Sequence, residues 1–350
     1  MSPPPQPDAQ LVFLSKLQRL FSEGDFTATY KFALLSALAD LAVERGRDDG
    51  DRLRLTHRTI AATFVDLYWQ QTAPYSRGPG QADIGVLAQN NGAQAAVVRA
   101  IAAFRQRQPH ATVQSARAVG PAYDLLLQDV ARTVAAQPIR YLQNMGGQED
   151  AFLYKRERGA VVLEPGVMYC LRRFQPLVQQ LARTHWVGHI KRNRLNVPLL
   201  GAEDDLESFL FETSRQTLRA IGEGLRPLTN SRCFYCGSVV HDAEVDHFIP
   251  FSMYRRDLMH NFVLAHAHCN GSKADTLAAR PHLDHWMEHI TRHDDALREI
   301  GERVGRLADR SSSVAVARWG YANAFTGGAR AWLKVGTYLP VGADYMNVME

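Results

Sequence analysis

Two pairs of cysteine and histidine residues have the spacing of zinc ligands. Cys233 and Cys236 are separated by two residues, and His266 and Cys269 repeat that spacing about thirty residues later. Three thiolates and one imidazole can form a closed tetrahedral Zn²⁺ site, whose binding free energy can stabilise a segment too small to bury much of a core. These four residues therefore predict a structural zinc site.

Other interpretations of these residues stay open at this point. His268 or His241 could replace His266 as the fourth ligand, although neither keeps the two-residue spacing. The cysteines could instead be small buried apolar residues without a metal. The fourth cysteine, Cys170, lies apart in an apolar run and is expected to be a buried structural thiol. Three cysteines within 37 residues favour metal binding over disulfide bonds if the chain is cytoplasmic, as its sequence leads us to expect.

A second set of side chains between these pairs has the chemistry of a hydrolase. Asp246 and His247 are adjacent, so on an extended strand the carboxylate and the imidazole point to opposite faces. One side chain can bind a metal ion while the other faces water as a general base. Asn270 adds a neutral oxygen ligand, and Mg²⁺ prefers carboxylate, amide and water oxygens. Together the three residues predict one divalent ion with open coordination positions.

The order of these residues resembles the HNH (ββα-metal) endonucleases, in the subtype with paired cysteines. That subtype reads C-x2-C, then D-H-I-x-P, then N-L-V-x-x-C-x-x-C-N-x-x-K, and the resemblance covers about residues 228–278. The chain departs from it at Phe248, Phe262, His266 and Asn270. The phenylalanines stay apolar, the histidine keeps four zinc ligands, and the asparagine replaces the last histidine of the family name.

The resemblance implies metal-dependent hydrolysis of phosphodiester bonds. His247 would be the general base that activates water, and Asp246 and Asn270 would hold Mg²⁺ or Mn²⁺. Asn261 would act catalytically by fixing the loop that carries His247. Contacts with nucleic-acid phosphates are expected from three basic residues, Lys273, Arg255 and Arg256.

Double-stranded DNA is the substrate expected from the resemblance, with bacterial restriction or antiviral (anti-phage) defence as the expected setting. Alternatives are cleavage of RNA, nicking of a single strand, or a nuclease-derived nucleic-acid-binding effector that needs a partner or activator. A purely structural zinc ribbon is a further alternative, but it would need neither Asp246-His247 nor Asn270. A homodimer would supply the two sites that symmetric cleavage of a duplex requires.

Helical periodicity dominates the rest of the chain. Apolar residues at helical spacing predict helices over residues 11–21, 28–45, 56–71, 93–106, 176–191, 204–223 and 282–307. Glycine and proline predict a loop over residues 74–92. Two short apolar runs on either side of Pro165-Gly166 predict a small hairpin over residues 160–171.

The predicted fold is mainly α. Its predicted parts are a disordered tail (1–10), a helical domain that binds a target or a protein partner (11–225), an HNH nuclease module of ββα-metal type with a structural zinc site (226–280), and C-terminal helices packed on that module (281–350).

Length and composition are those of an ordinary globular protein. The chain has 350 residues, enough for two or three domains, with 46% hydrophobic and 22% charged residues. No apolar run is long enough to cross a membrane, and the proline-rich start lacks the features of a signal peptide. We therefore expect a cytoplasmic protein without a membrane partner.

Basic residues concentrate in one segment although the net charge is only +4. Residues 140–194 contain ten lysines and arginines against four acidic residues, and aromatic residues lie among them, including Tyr154, Tyr169, Phe174 and Trp186. Such a mixture can bind phosphates and stack on bases. It can equally be a solvated face over a core built from the same aromatic residues.

Four histidines follow the motif at helical spacing. His282, His285, His289 and His293 lie on one face of the predicted helix. They could form a second metal site or contact a phosphate backbone. The simpler alternative is a half-exposed helix face beside an apolar stripe.

Overall fold

A computed structural model describes residues 2–75, 85–201 and 205–349. The chain divides into two compact units. The N-terminal unit comprises residues up to 111 and residues 117–212, and the C-terminal unit comprises residues 112–116 and those from 213 onward. No helix in the described ranges is long and apolar enough to cross a membrane.

The helices and strands are numbered along the chain. The helices are α1 (Pro7–Glu23), α2 (Tyr30–Arg45), α3 (His57–Trp69), α4 (Ala96–Arg107), α5 (Val113–Ala116), α6 (Pro121–Ala136), α7 (Pro138–Tyr141), α8 (Val167–Arg173), α9 (Gln175–Arg192), α10 (Leu206–Phe211), α11 (Arg215–Leu228), α12 (Ala267–Lys273), α13 (Arg280–Arg292), α14 (Asp294–Val304), α15 (Arg310–Thr326) and α16 (Asp344–Asn347). The strands are β1 (Arg54–Thr56), β2 (Asn144–Met145), β3 (Gln148–Glu149), β4 (Tyr154–Glu157), β5 (Ala160–Leu163), β6 (Ala243–His247), β7 (Phe262–His266), β8 (Arg330–Lys334) and β9 (Thr337–Pro340). The predicted mainly α fold is thus confirmed.

Helix α2 is the centre of the N-terminal unit. Its sequence is apolar on nearly all sides, as expected of a helix enclosed by others, and it packs against α3, α8 and α9. Buried Asp40 accepts hydrogen bonds from the amides of Gln175 and Gln179 (3.0 and 2.8 Å). Buried Arg172 donates to the backbone oxygens of Ala42 and Val43 at the end of α2, where helix carbonyls lack partners.

The small hairpin forms, but not where the sequence predicted it. The hairpin consists of β5 and the preceding strand β4, which are joined by a turn at Gly159 (φ 74°). The other edge of β5 pairs with β1. The second predicted strand is instead helix α8, which begins after Gly166 (φ 79°). The prediction was wrong because a short apolar run does not distinguish a strand from a buried helix.

Several predicted boundaries also move. Helix α1 begins at Pro7, so the last four residues of the predicted disordered tail are helical; proline suits the first turn of a helix. The helix predicted over residues 204–223 is two helices, because Asp205 and Ser214 each cap a new start by accepting from a backbone N–H. Residue 204 and part of the predicted loop at 74–92 lie outside the described residues.

The C-terminal unit is built around a ββα element. β6 and β7 pair antiparallel with Asp246 opposite Val263, and α12 follows β7 directly. Helix α11 packs on both strands at Gly222, where a Cβ atom would lie 3.2 Å from Val245. This close approach fixes the strand that carries the candidate active-site residues.

The remaining C-terminal elements form the core beneath the ββα element. Trp286 of α13 stacks on Phe248 (4.9 Å between ring centroids) and donates to the backbone oxygen of His260. Tyr321 of α15 donates to the backbone oxygen of Ala278. The antiparallel hairpin β8–β9, absent from the sequence prediction, brings Trp332 against Tyr235.

Candidate metal cluster and active site

The two predicted ligand pairs meet at one point. One ligand atom from each of Cys233, Cys236, His266 and Cys269 lies within 4.8 Å of the other three. The turn that carries the first two cysteines joins the sheet through a hydrogen bond from the Phe234 amide to the backbone oxygen of Leu264, in the middle of β7 (2.8 Å). The predicted grouping is confirmed, and three sulfurs with one imidazole nitrogen suit Zn²⁺.

His266 is the histidine of this cluster. Its Nδ1 lies 3.3 Å from the sulfur of Cys236, while its Nε2 lies 3.1 Å from the backbone oxygen of Val239. A carbonyl partner on the far nitrogen is the usual way to orient a metal-binding imidazole. Of the alternatives, His268 stacks on His266 and approaches Cys269, but neither it nor His241 belongs to the four-residue group.

The thiols of the cluster differ in acidity. Burial raises the pKa of Cys236, but hydrogen bonds involving Ser238, Cys233 and His266 lower it to about 7. Burial, reinforced by the neighbouring thiols, raises the pKa of Cys269 to about 12. Three adjacent thiolates repel one another, and a bound cation would offset that repulsion.

Asp246 occupies a buried polar position on β6. Its Oδ2 accepts from the Tyr235 hydroxyl (2.5 Å) and forms an ion pair with Nζ of Lys273 (3.0 Å). Lys273 is fully buried and also donates to the backbone oxygen of His247 (2.9 Å). Burial lowers the pKa of Lys273, whereas the charge of Asp246 raises it. The carboxylate is therefore held by a hydroxyl and a cation.

His247 contacts a carboxylate that the sequence analysis did not identify. Its Nε2 lies 2.7 Å from Oδ1 of Asp257, whose side chain is almost fully buried and also accepts from Thr213. Burial favours a raised pKa for Asp257, but the hydrogen bonds from His247 and Thr213 and the charge of Arg306 hold its pKa below the usual value. Asp257 is thus an ionised acceptor, so His247 donates through Nε2, and the neutral tautomer with this hydrogen bond has its acceptor at Nδ1.

Asn261 joins the end of the hairpin to the loop after His247. Its side chain accepts from the Ile249 amide (2.7 Å) and donates to the Ile249 backbone oxygen (2.9 Å). Its backbone oxygen accepts from the Phe248 amide (2.7 Å). These are the hydrogen bonds of a residue that fixes the loop.

Asp246, His247 and Asn270 line the same open cleft, of about 460 Å³. The amide nitrogen of Asn270 donates to Glu244 (2.8 Å), a second acidic residue on β6. Asp275 at the start of the following turn also lines the cleft. Carboxylate and amide oxygens gathered in one cleft fit a hard divalent cation.

The predicted phosphate contacts occupy different environments. The ammonium group of Lys273 is buried beside Asp246, so its position does not favour contact with a phosphate. Arg255 and Arg256 lie in the loop between β6 and β7, are half-buried, and take part in interactions within the protein. All three phosphate contacts stay predictions.

The histidine stripe on α13 packs against the metal-binding turn. His285 stacks on Phe234 (4.5 Å), and His282 stacks on Trp332 (5.5 Å). Burial, followed by the charge of His293, lowers the pKa of His289 to about 4, so this imidazole is neutral near pH 7. Among the described residues, no metal-binding group includes the stripe. These contacts favour the packing alternative.

Some aromatic side chains of the basic segment (residues 140–194) belong to the protein core. Tyr154 and Trp186 are fully buried, and each uses its polar atom within the protein, on Ile139 and Gln89 respectively. They are therefore not exposed for stacking on bases. Cys170 is buried as predicted, and burial raises its pKa to about 11.

Each unit contains a match to one protein-family model. The model of a domain of unknown function, DUF8808, matches residues 12–199, which is more than half of the chain. The chain belongs to the DUF8808 family. The HNH endonuclease model matches residues 233–276, which confirms the resemblance to that family and indicates a nuclease of HNH type. No curated protein and no solved structure matches the chain.

The sequence contained signals for some of the residues that were missed. Glu244 precedes Asp246 by two positions on a strand, so a shared face was predictable. Tyr235 lies inside the C-x2-C turn. Asp257 lies ten residues beyond His247 in an irregular loop, where no periodicity indicates which side chain returns to the histidine.

The buried pair of Lys273 and Asp246 gives a first prediction. Lys273→Met should destabilise the C-terminal unit by about 3–5 kcal/mol, because it leaves a buried carboxylate without its cation. Denaturant unfolding of the full chain measures this change. Lys334→Met, at an exposed position of β8, is the matched control and should change stability by less than about 0.5 kcal/mol. Equal stability of the two variants would contradict the buried pair.

Proposed function

We propose that the C-terminal unit is a metal-dependent endonuclease that hydrolyses phosphodiester bonds of DNA. The observation that carries the proposal is the cleft where His247, oriented by Asp257, lies with Asp246 and Asn270. A base and hard oxygen ligands in one open cleft are what metal-assisted hydrolysis requires. The HNH match supports a nuclease, and the choice of DNA and of these residues is our proposal.

His247 acts as the general base in this proposal. Asp257 accepts a hydrogen bond from Nε2–H, which leaves Nδ1 to take a proton from the attacking water. The ionised carboxylate also stabilises the imidazolium that forms as the water loses its proton. Asn261 fixes the backbone that follows His247, so the imidazole keeps its direction.

Asp246 and Asn270 would hold the divalent ion, Mg²⁺ or Mn²⁺. When bound, such an ion supplies positive charge that stabilises the departing 3′ oxygen. Tyr235 and Lys273 both hold Oδ2 of Asp246, which limits the rotation of its carboxylate. Glu244, hydrogen-bonded to Asn270, is an additional oxygen donor at the same cleft.

The structural cluster would hold Zn²⁺ apart from this ion. Its four ligands connect the turn after α11 to the start of α12, and α12 carries both Asn270 and Lys273. Zinc binding would therefore fix the helix that carries these two residues of the proposed active site.

Double-stranded DNA as the substrate, a homodimer, and a role in antiviral defence are further parts of the proposal.

The substrate is tested with end-labelled duplex DNA, single-stranded DNA and RNA of one sequence, each incubated with the full chain and Mg²⁺ or Mn²⁺. We expect internal cleavage of the duplex in both strands. Cleavage of RNA alone would overturn DNA as the substrate, and nicking of one strand would overturn double-strand cleavage. EDTA should abolish every cleavage event.

Asp257 gives a second prediction, as a positioning residue. Asp257→Asn should lower kcat about 10- to 100-fold, a loss of the size seen when carboxylates that orient histidines in metal sites are removed. KM should stay unchanged, because Asp257 lies behind the imidazole and does not face the cleft.

The matched control for this variant is Asp284→Asn, on α13 and paired with Arg280. It should retain the kcat of the wild type. A fall in kcat that is accompanied by loss of zinc or of thermal stability would mean that Asp257 has only a structural role.

A further inference from the structure

The N-terminal unit contains a cavity with a buried lysine at its wall. The cavity has a volume of about 280 Å³ and lies where the loop between α1 and α2 meets α7 and β2. Its wall includes Tyr30, Lys31, Pro138 and Asn144. All of these elements belong to one compact unit, so the cavity is part of the DUF8808 domain.

Lys31 is unusual because its charge lacks a direct partner. The residue is 8% exposed, and within the described ranges its ammonium group forms no hydrogen bond or ion pair. The nearest favourable contact is with the Phe26 ring, at 5.4 Å from its centroid. Burial lowers the pKa of Lys31, and the charge of Asp25 only partly offsets this. The stem of Lys31 is packed within the unit, and its ammonium group has no ion-pair partner among the described residues at the cavity, so an anion bound there would pair with it.

Other polar side chains converge on the same cavity. Thr27, Gln137 and Asn144 line it, and among the described residues their side chains have no hydrogen-bond partner. Thr27 and Gln137 are exposed and Asn144 is half-buried, so each can hydrogen-bond a ligand in the cavity. Apolar and aromatic walls with a few polar groups are typical of a small-molecule site, and Ala28, Tyr30 and Pro138 supply such walls here. At its mouth, Tyr141 is exposed and the guanidinium of Arg140 lies 5.5 Å from its ring.

The loop that carries this site is fixed at both ends. Its start is tied to the chain after β2 by a hydrogen bond from the Gly146 amide to the backbone oxygen of Glu23 (3.2 Å). Its end is tied by a hydrogen bond from the Thr29 amide to the backbone oxygen of Gln89 (3.0 Å). A cavity between fixed elements is preformed, which lowers the entropic cost of binding.

We propose that the DUF8808 domain binds a small molecule carrying a carboxylate or phosphate monoester group, with the anion at Lys31. A cavity of about 280 Å³ suits a small molecule. The exposed carboxylate of Asp25 at the wall disfavours polyanions, including nucleic acid, and favours a ligand that also carries a hydrogen-bond donor such as an amino group. This inference concerns binding and is independent of the proposed nuclease activity.

The test is thermal unfolding of the full chain with defined anions at 10 mM. The phosphate arm uses inorganic phosphate and the four ribonucleoside 5′-monophosphates, and the carboxylate arm uses succinate, citrate, L-glutamate and L-aspartate. Any probe that binds with a Kd near 1 mM should raise the Tm of the N-terminal unit by about 2–5 °C. The arm that contains the effective probe identifies the anionic group.

Lys31→Met is the decisive variant, because methionine keeps the apolar stem and removes the charge. We expect it to abolish the ligand-induced shift and to leave the Tm without ligand unchanged or higher. Lys16→Met, which removes a half-buried lysine paired with Asp150 outside the cavity, is the matched control and should keep the full shift.

Three results would overturn the proposal. The first is that none of the anions raises the Tm of the wild type. The second is an equal shift in Lys31→Met, which would indicate a general effect of anions on a basic protein. The third is a large loss of Tm in Lys31→Met without ligand, which would mean that the ammonium group stabilises the fold by itself.

Discussion

Replacing His247 by alanine is expected to lower the rate of phosphodiester hydrolysis by about 10²- to 10⁴-fold, the usual contribution of a general base. The side chain supplies the acceptor for the proton of the attacking water, and no other imidazole lines the cleft within the described ranges. Single-turnover cleavage of a labelled duplex at saturating protein measures the chemical step without interference from product release.

The control for this variant is His241→Ala. His241 is exposed, belongs to the same unit, and lies outside the metal cluster and the catalytic cleft. The His241→Ala variant should cleave DNA at the wild-type rate and bind the same amount of zinc as the wild type. If His247→Ala retains more than about a tenth of the wild-type rate with zinc bound, the assignment of the base is wrong.

Cys269→Ser is expected to remove zinc from the chain and unfold the metal-binding segment. Structural zinc sites of this type contribute about 10–16 kcal/mol of binding free energy at neutral pH, which exceeds the whole stability of many domains. Cys269 is buried in the first turn of α12, the helix that carries Asn270 and Lys273, so nuclease activity should be lost with the metal. Metal analysis of the purified chain, together with thermal unfolding, measures both effects.

The matched control is Cys170→Ala, which removes the cysteine of the N-terminal unit. The wild type and this control should each contain one zinc ion per chain. A Cys269→Ser variant that keeps one zinc ion would show that a different set of ligands binds the metal, with His268 as the nearest substitute.

The cluster and the ββα element were predictable because their signals are local. The two-residue spacing in each pair places both ligands on one turn, and the turn positions them together before any distant packing is known. The alternation of Asp246 and His247 on a strand is equally local. Such features depend on few residues and have few alternative geometries.

The partners of these residues were not predictable, because they depend on tertiary packing. Lys273 was expected to contact phosphates, but its ammonium group is buried and paired with Asp246 of β6. Asp257 reaches His247 only through the path of an irregular loop. The Pro165-Gly166 pair was interpreted as a hairpin turn, although the same glycine conformation also precedes a helix.

The cavity in the DUF8808 domain illustrates the same limit. Lys31 lies near the start of a predicted apolar helix, and the spacing of the apolar residues does not indicate that this lysine is buried. The polar groups that meet Lys31 come from elements more than a hundred residues away in the chain, at Gln137 and Asn144. Their convergence is visible only in the folded unit.

The most direct test of the account is incubation of the zinc-loaded full chain with supercoiled plasmid, in Mg²⁺ and separately in excess EDTA. The account predicts linear or nicked plasmid in Mg²⁺ and intact plasmid in EDTA. The cleaved DNA should carry 5′ phosphate and 3′ hydroxyl ends, so a ligase should be able to rejoin it. Cleavage that continues unchanged in EDTA, or intact plasmid together with intact RNA and single-stranded DNA in Mg²⁺ and Mn²⁺, would contradict a metal-dependent endonuclease at this cleft.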